Sequence, residues 1–72
     1  MNSKEAVALA SSYAEQQGYD ISQYSISIVN EKNVWCVHFK GKGLQQKPRP
    51  GDFFTIYIDD KSKMVKKLFL GK

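Results

Sequence analysis

One cysteine, one histidine and one arginine are all that 72 residues hold of three residue types on which much site chemistry depends. The lone Cys36 excludes an internal disulfide and any metal site made of several thiolates, so burial alone must hold the fold. The lone His38 makes a histidine-based zinc site implausible unless a second subunit adds ligands. Both prolines and three of the five glycines fall between Gly41 and Gly51, which keeps that segment out of any strand ladder. No apolar stretch approaches the roughly 20 residues that span a bilayer. The start, Met1 to Ala6, has no sustained apolar core after its basic residue, so no secretory signal is read there. The expectation is a cytoplasmic protein with no membrane partner. A chain this short has room for one domain (1–72) and a small core, and none for a second catalytic lobe.

What is present reads as one helix and a sheet. Asn2 with Glu5 forms a capping box, Ser3 is a second possible cap, and Gly18 is placed to end the helix in the left-handed conformation. Between them Ala6, Val7, Leu9, Ala10, Tyr13 and Ala14 make an apolar stripe at three- and four-residue spacing, with small alanines that allow close packing on a sheet. After a connection over Tyr19 to Gln23, Tyr24 to Ile28 alternates with period two, placing Tyr24, Ile26 and Ile28 toward the helix and Ser25, Ser27 and Val29 away. Asn30 to Asn33 reads as a hairpin turn. Val34 to Lys40 follows with Trp35, Val37 and Phe39 inward, then the long basic loop from Gly41 to Gly51. The next strand has Phe54, Ile56 and Ile58 on one side and Phe53, Thr55 and Tyr57 on the other. A turn at Asp59 to Lys63 delivers a last strand from Met64 to Leu70. The predicted fold is α+β, in α-β-β-β-β order: an N-terminal helix on a curved antiparallel sheet of three to four strands.

One helix covers one face of such a sheet. The other face, expected to carry Val29, Cys36, His38, Phe53, Thr55 and Tyr57, is too apolar to stand fully solvated. It can be covered by the sheet's own curl, by a second copy, or by a different protein.

Charge is divided along the chain. Residues 1 to 31 carry one lysine against four carboxylates, net −3, and residues 32 to 72 carry ten Lys/Arg against three aspartates, net +7, which together give the overall +4. Basic residues near aromatics are a generic nucleic-acid signal. Here there is one arginine and no RNP-type motif, and Gly41-Lys42-Gly43-Leu44 lacks the helical context of a KH clamp. The basic loop therefore points first to solvent or an acidic protein partner.

The chemistry candidates fail on spacing. Cys36 and His38 share a strand face as a potential thiolate and imidazole, but same-face neighbours lie about 7 Å apart and no third group orients them. Asp59-Asp60 sits where carboxylates serve a turn. Gly41-Lys42-Gly43 lacks Walker spacing and a following helix. The expectation is no enzyme and no cofactor or metal.

Trp35-Cys36-Val37-His38-Phe39, the loop ending Pro50-Gly51-Asp52-Phe53-Phe54, the alternating strand to Asp59, and Ser62-Lys63-Met64-Val65 before Gly71 together resemble the pattern of small cystatin-like domains. These are the immunity proteins with a nuclear-transport-factor-two-like fold and the PepSY modules. The last turn departs from that pattern, with Lys63 where Gly is usual. The resemblance implies a non-catalytic binding domain and, in the immunity branch, one that occludes a cognate bacterial toxin. The contact residues expected on exposure and charge are Lys42, Lys47 and Arg49 on the loop, with His38, Phe53 and Tyr57 on the open face. Trp35 is expected in the core.

Overall fold

A computed structural model describes residues 1–42 and 53–70. It contains α1 (Ser3–Gln16), a 3-10 turn (Ile21–Gln23), β1 (Tyr24–Glu31), β2 (Val34–Gly41), β3 (Phe53–Asp59) and β4 (Met64–Leu70). The strands pair antiparallel in the order β1-β2-β3-β4, so the α+β reading holds and the sheet has two edges, β1 and β4.

The helix begins as its sequence dictates. Asn2 Oδ1 accepts from the Glu5 N–H at 2.8 Å, and Glu5 Oε1 accepts from the Asn2 N–H at 3.2 Å, closing the capping box. It ends at Gln17, after which Gly18 takes φ +97°, a conformation that glycine enters without a Cβ penalty. Ala6, Ala10 and Ala14 lie on one ridge at four-residue spacing and are fully buried. Their methyl groups let the helix backbone sit close to the sheet, which supplies the bulk: Val37, Phe39, Phe54, Ile56 and Ile58, none more than 1% exposed.

One end of this core is aromatic. Phe39 and Phe54 stack with ring centroids 4.6 Å apart, and Tyr19 stacks on Phe54 at 4.3 Å. Tyr24 meets Phe54 edge-on at 5.1 Å. At the opposite end Trp35 is half-buried, and its indole Nε1–H donates to Asp60 Oδ1 at 2.7 Å. The Met1 ammonium lies 3.7 Å from the same oxygen.

The structure corrects two local expectations. The first hairpin turn is narrower than the four residues read from composition, because Asn30 pairs with Trp35 and Glu31 with Val34, leaving only Lys32 and Asn33 to turn. Ladder pairing outweighs the weak strand preference of Asn and Glu. Ile26 does face the helix side, paired with buried Phe39, but it is not covered there and is 37% exposed, and Leu9 of the helix stripe is 38% exposed. Four strands span about 14 Å between outer backbones, more than the roughly 10 to 12 Å width of a helix, so the β1 edge is incompletely covered.

Lys63, which stands where the resemblance has glycine, takes φ +58° just before β4. A side chain there costs about 1 to 2 kcal/mol of backbone strain, partly offset by the entropy that glycine adds to the unfolded chain. Lys63→Gly is therefore expected to raise stability by up to about 1 kcal/mol. Urea denaturation of the two proteins measures this, and a clear loss on substitution contradicts it.

Candidate functional site: the open sheet face

The ladder registers arrange the face opposite α1 in four rows. Ser25, Lys40 and Phe53 form the first, and Ser27, His38, Thr55 and Phe69 the second. Val29, Cys36, Tyr57 and Lys67 form the third, and Glu31, Val34, Asp59 and Met64 the fourth. Its centre is partly covered by the molecule itself, since Cys36 and Thr55 are each only 5% exposed although no helix among the described residues covers them. Around them Val29 (46%) and Phe69 (53%) reach solvent, and Phe53 and Tyr57 are half-buried.

The polar groups on this face are committed to particular partners. His38 Nδ1 and Thr55 Oγ1 are 2.8 Å apart, a bond that gives buried Thr55 its partner and holds the exposed imidazole in place. Cys36 Sγ has a long, weak contact with Glu31 Oε1 at 4.0 Å. Burial first, and the neighbouring Glu31 carboxylate second, push the Cys36 thiol above its ordinary range. Cys36 is thus a protonated, buried thiol at neutral pH, the reverse of an activated nucleophile. The two side chains that chain spacing offers as a pair engage different residues. Among the described residues no three His, Cys, Asp or Glu side chains are grouped to hold a metal ion.

Charge is distributed unevenly over the face. Lys40 stands in the first row, exposed Lys42 follows just beyond β2, and Lys67 Nζ lies 5.1 Å over the Tyr57 ring, a cation-π contact. Glu31 and Asp59 occupy the opposite end. Asp59 belongs to the turn: Oδ2 accepts the Ser62 N–H at 2.7 Å. Hydrogen bonding from Ser62 is the largest influence holding its carboxyl below the ordinary range, against a smaller opposing effect of burial. The sign follows from linkage. A carboxylate with a lowered folded-state pKa adds stability above its unfolded pKa, and that stability is lost as pH falls through the folded value. The stability gap between wild type and Asp59→Asn is expected to be largest near neutrality and to shrink on acidification through the carboxylate range. Thermal melts of both proteins across that range measure it; a gap that widens on acidification contradicts the assignment.

Of the expected contact residues, His38, Phe53 and Tyr57 lie together on this face, in three neighbouring rows of β2 and β3. A shallow pocket of about 220 Å³ opens beside them, lined by Ser27, His38, Lys40, Phe53 and Thr55. The Lys42 N–H is tied to the Gln23 carbonyl at 2.7 Å, which fixes its backbone at the end of β2. Lys47 and Arg49 lie outside the described residues.

Sequence reasoning missed Phe69 and Lys67. Counting by twos from inward-facing Val65 places both on the core side. A register shift between Tyr57 and Ile58, opposite Lys66, reverses the phase, so Leu68 pairs with Ile56 and faces the helix while Phe69 turns out. Two adjacent lysines in the strand are the only trace of this in the sequence. No family model, curated protein or solved structure matches this chain.

Proposed function

We propose that this chain is a non-catalytic protein-binding module that docks a partner on the open sheet face. One observation carries the reading: Val29 and Phe69 stand about half exposed on a face that no helix among the described residues covers, with half-buried Phe53 and Tyr57 on the same face. Lys40, Lys42 and Lys67 lie around this apolar centre. An apolar, aromatic centre with a charged rim is the composition of a protein interface. Lysines on the rim favour a partner with an acidic surface and raise its rate of encounter.

The finer reading is an immunity protein that neutralises a cognate bacterial toxin by occlusion. It draws on the resemblance of the strand motifs to the immunity-protein branch and on the composition of the exposed face. The lysines of this face do not mimic nucleic acid, so an acidic surface of the toxin, and not a phosphate-binding cleft, is the target.

The test places a carboxylate at an exposed apolar position of this face. Phe69→Asp is expected to abolish recovery of a stoichiometric partner from native lysate and, on co-expression with that partner, to abolish protection from its toxicity. Ala8→Asp on the exposed side of α1 leaves both intact. Equal loss with both variants, or recovery that persists with Phe69→Asp, sinks the face assignment. Binding that instead falls steeply with salt and disappears with nuclease supports a nucleic-acid module. Concentration-dependent mass with no other protein recovered supports a homodimer.

A further inference from the structure

We infer that the free edge of β4 is a second interaction surface, which accepts an extended peptide segment with alternating apolar and acidic residues as a fifth strand. Among the described residues β4 pairs only with β3, so the backbone hydrogen-bonding groups on its outer side have no strand partner there. Of the six large hydrophobic residues that stand exposed among the described residues, Met64, Phe69 and Leu70 lie on β4. A fourth, Leu9, lies on the helix near the start of β4; the remaining two, Ile26 and Val29, lie on the other edge, β1, which differs from β4 in carrying no lysine or arginine.

The side-chain environment on each side of the edge specifies what an added strand carries. On the helix side, a groove of about 380 Å³ opens between α1 and the start of β4, lined by Leu9, Ser12, Tyr13, Met64 and Val65. An added strand extends the sheet, so every second residue points to the helix side, where this groove takes an apolar side chain. The intervening residues point to the open-face side, beside Lys67 and Phe69. A carboxylate there meets the Lys67 ammonium, with Lys66 next to it at the bulge.

The same lysines argue against a second copy as the occupant. Antiparallel pairing of β4 with its own copy, centred on the strand, sets Lys67 directly against its own copy with Lys66 diagonal to it, and like charges directly opposite are destabilising. Pairing β4 to the β1 edge of another copy joins two different surfaces and does not close into a dimer. A separate acidic strand satisfies the edge without either conflict.

The experiment uses the full chain, labelled with nitrogen-15, and two capped eight-residue peptides in which valine alternates with glutamate or with lysine. With the glutamate peptide, shifts are expected along Val65 to Leu70 and at Leu9 and Tyr13, with new exchange protection at alternate β4 amides. The lysine peptide is expected to bind at least about tenfold more weakly, since each charged pair across the strands turns from attractive to repulsive. K66E/K67E, verified as folded by its spectrum, is expected to reverse the preference. Shifts confined to β1, equal binding of both peptides, or no β4 protection at millimolar glutamate peptide overturns the proposal, leaving the lysine pair as a guard against aggregation. Val29→Asp, on the open face but on β1, distinguishes the two surfaces: loss of the docked partner with retained protection along β4 shows them to be separate.

Discussion

Phe54→Ala is expected to remove about 4 to 5 kcal/mol of stability, near the top of the range for truncating a buried aromatic. Phe54 is 1% exposed and stands at the crossing point of the aromatic end of the core. It stacks on Phe39 with an interplanar angle of 8°, stacks on Tyr19 at 28°, and receives Tyr24 edge-on. Truncation opens a cavity and breaks three ring contacts, each contributing about 0.5–1.5 kcal/mol beyond its burial. The surroundings cannot readily collapse into the gap, because Ala6, Ala10 and Ala14 across the interface have no longer side chain to swing in. A single small core without staples supplies about 3 to 5 kcal/mol in total, so the variant should be largely unfolded at 25 °C. Phe54→Leu, which keeps most of the volume, should lose much less and still unfold cooperatively. Near-UV circular dichroism and urea titration of the three proteins decide the matter; a loss below about 1.5 kcal/mol for the alanine variant removes Phe54 from the centre of the core.

Trp35 is the second large effect, and it comes in two separable parts. Its half-buried ring packs against the core, so Trp35→Ala is expected to cost about 3 kcal/mol, the lower end of the range for fully buried aromatics. Its indole N–H donates to Asp60, and Asp60→Ala leaves that donor without its partner in a part-buried site at a cost of about 1 to 3 kcal/mol. Trp35→Phe removes the donor and keeps most of the ring. The double variant Trp35→Phe/Asp60→Ala should therefore be less destabilised than the two single changes added together, by about 0.5 kcal/mol or more. Simple additivity in the urea midpoints would mean that the 2.7 Å bond contributes nothing measurable.

Much of the architecture is legible residue by residue. Asn2 and Glu5 mark the helix start because a side-chain acceptor at the cap and a glutamate three residues on satisfy each other's backbone donors. The run Phe53 to Asp59 alternates without interruption, so its inner set (Phe54, Ile56, Ile58) and outer set (Phe53, Thr55, Tyr57) follow from period two alone. His38, Phe53 and Tyr57 fall on one face for the same reason. Tyr19 shows the limit of local reading: it lies in a connection without periodicity, yet it stacks on Phe54, 35 positions away in the chain.

The sequence by itself determined what depends on near neighbours: the capped helix, the left-handed stop at Gly18, the strand phases of β2 and β3, and the exclusion of disulfide cross-links. Only the tertiary structure decided what depends on pairing across the sheet. The bulge opposite Lys66 turned Phe69 and Lys67 outward, because one extra residue in a strand reverses its phase. The meander order left β4 as an edge beside the helix groove. Packing buried Cys36 and Thr55 on a face that alternation alone describes as open. Side-chain direction along a strand is a property of the local backbone, whereas exposure is a property of whatever else the chain brings near it.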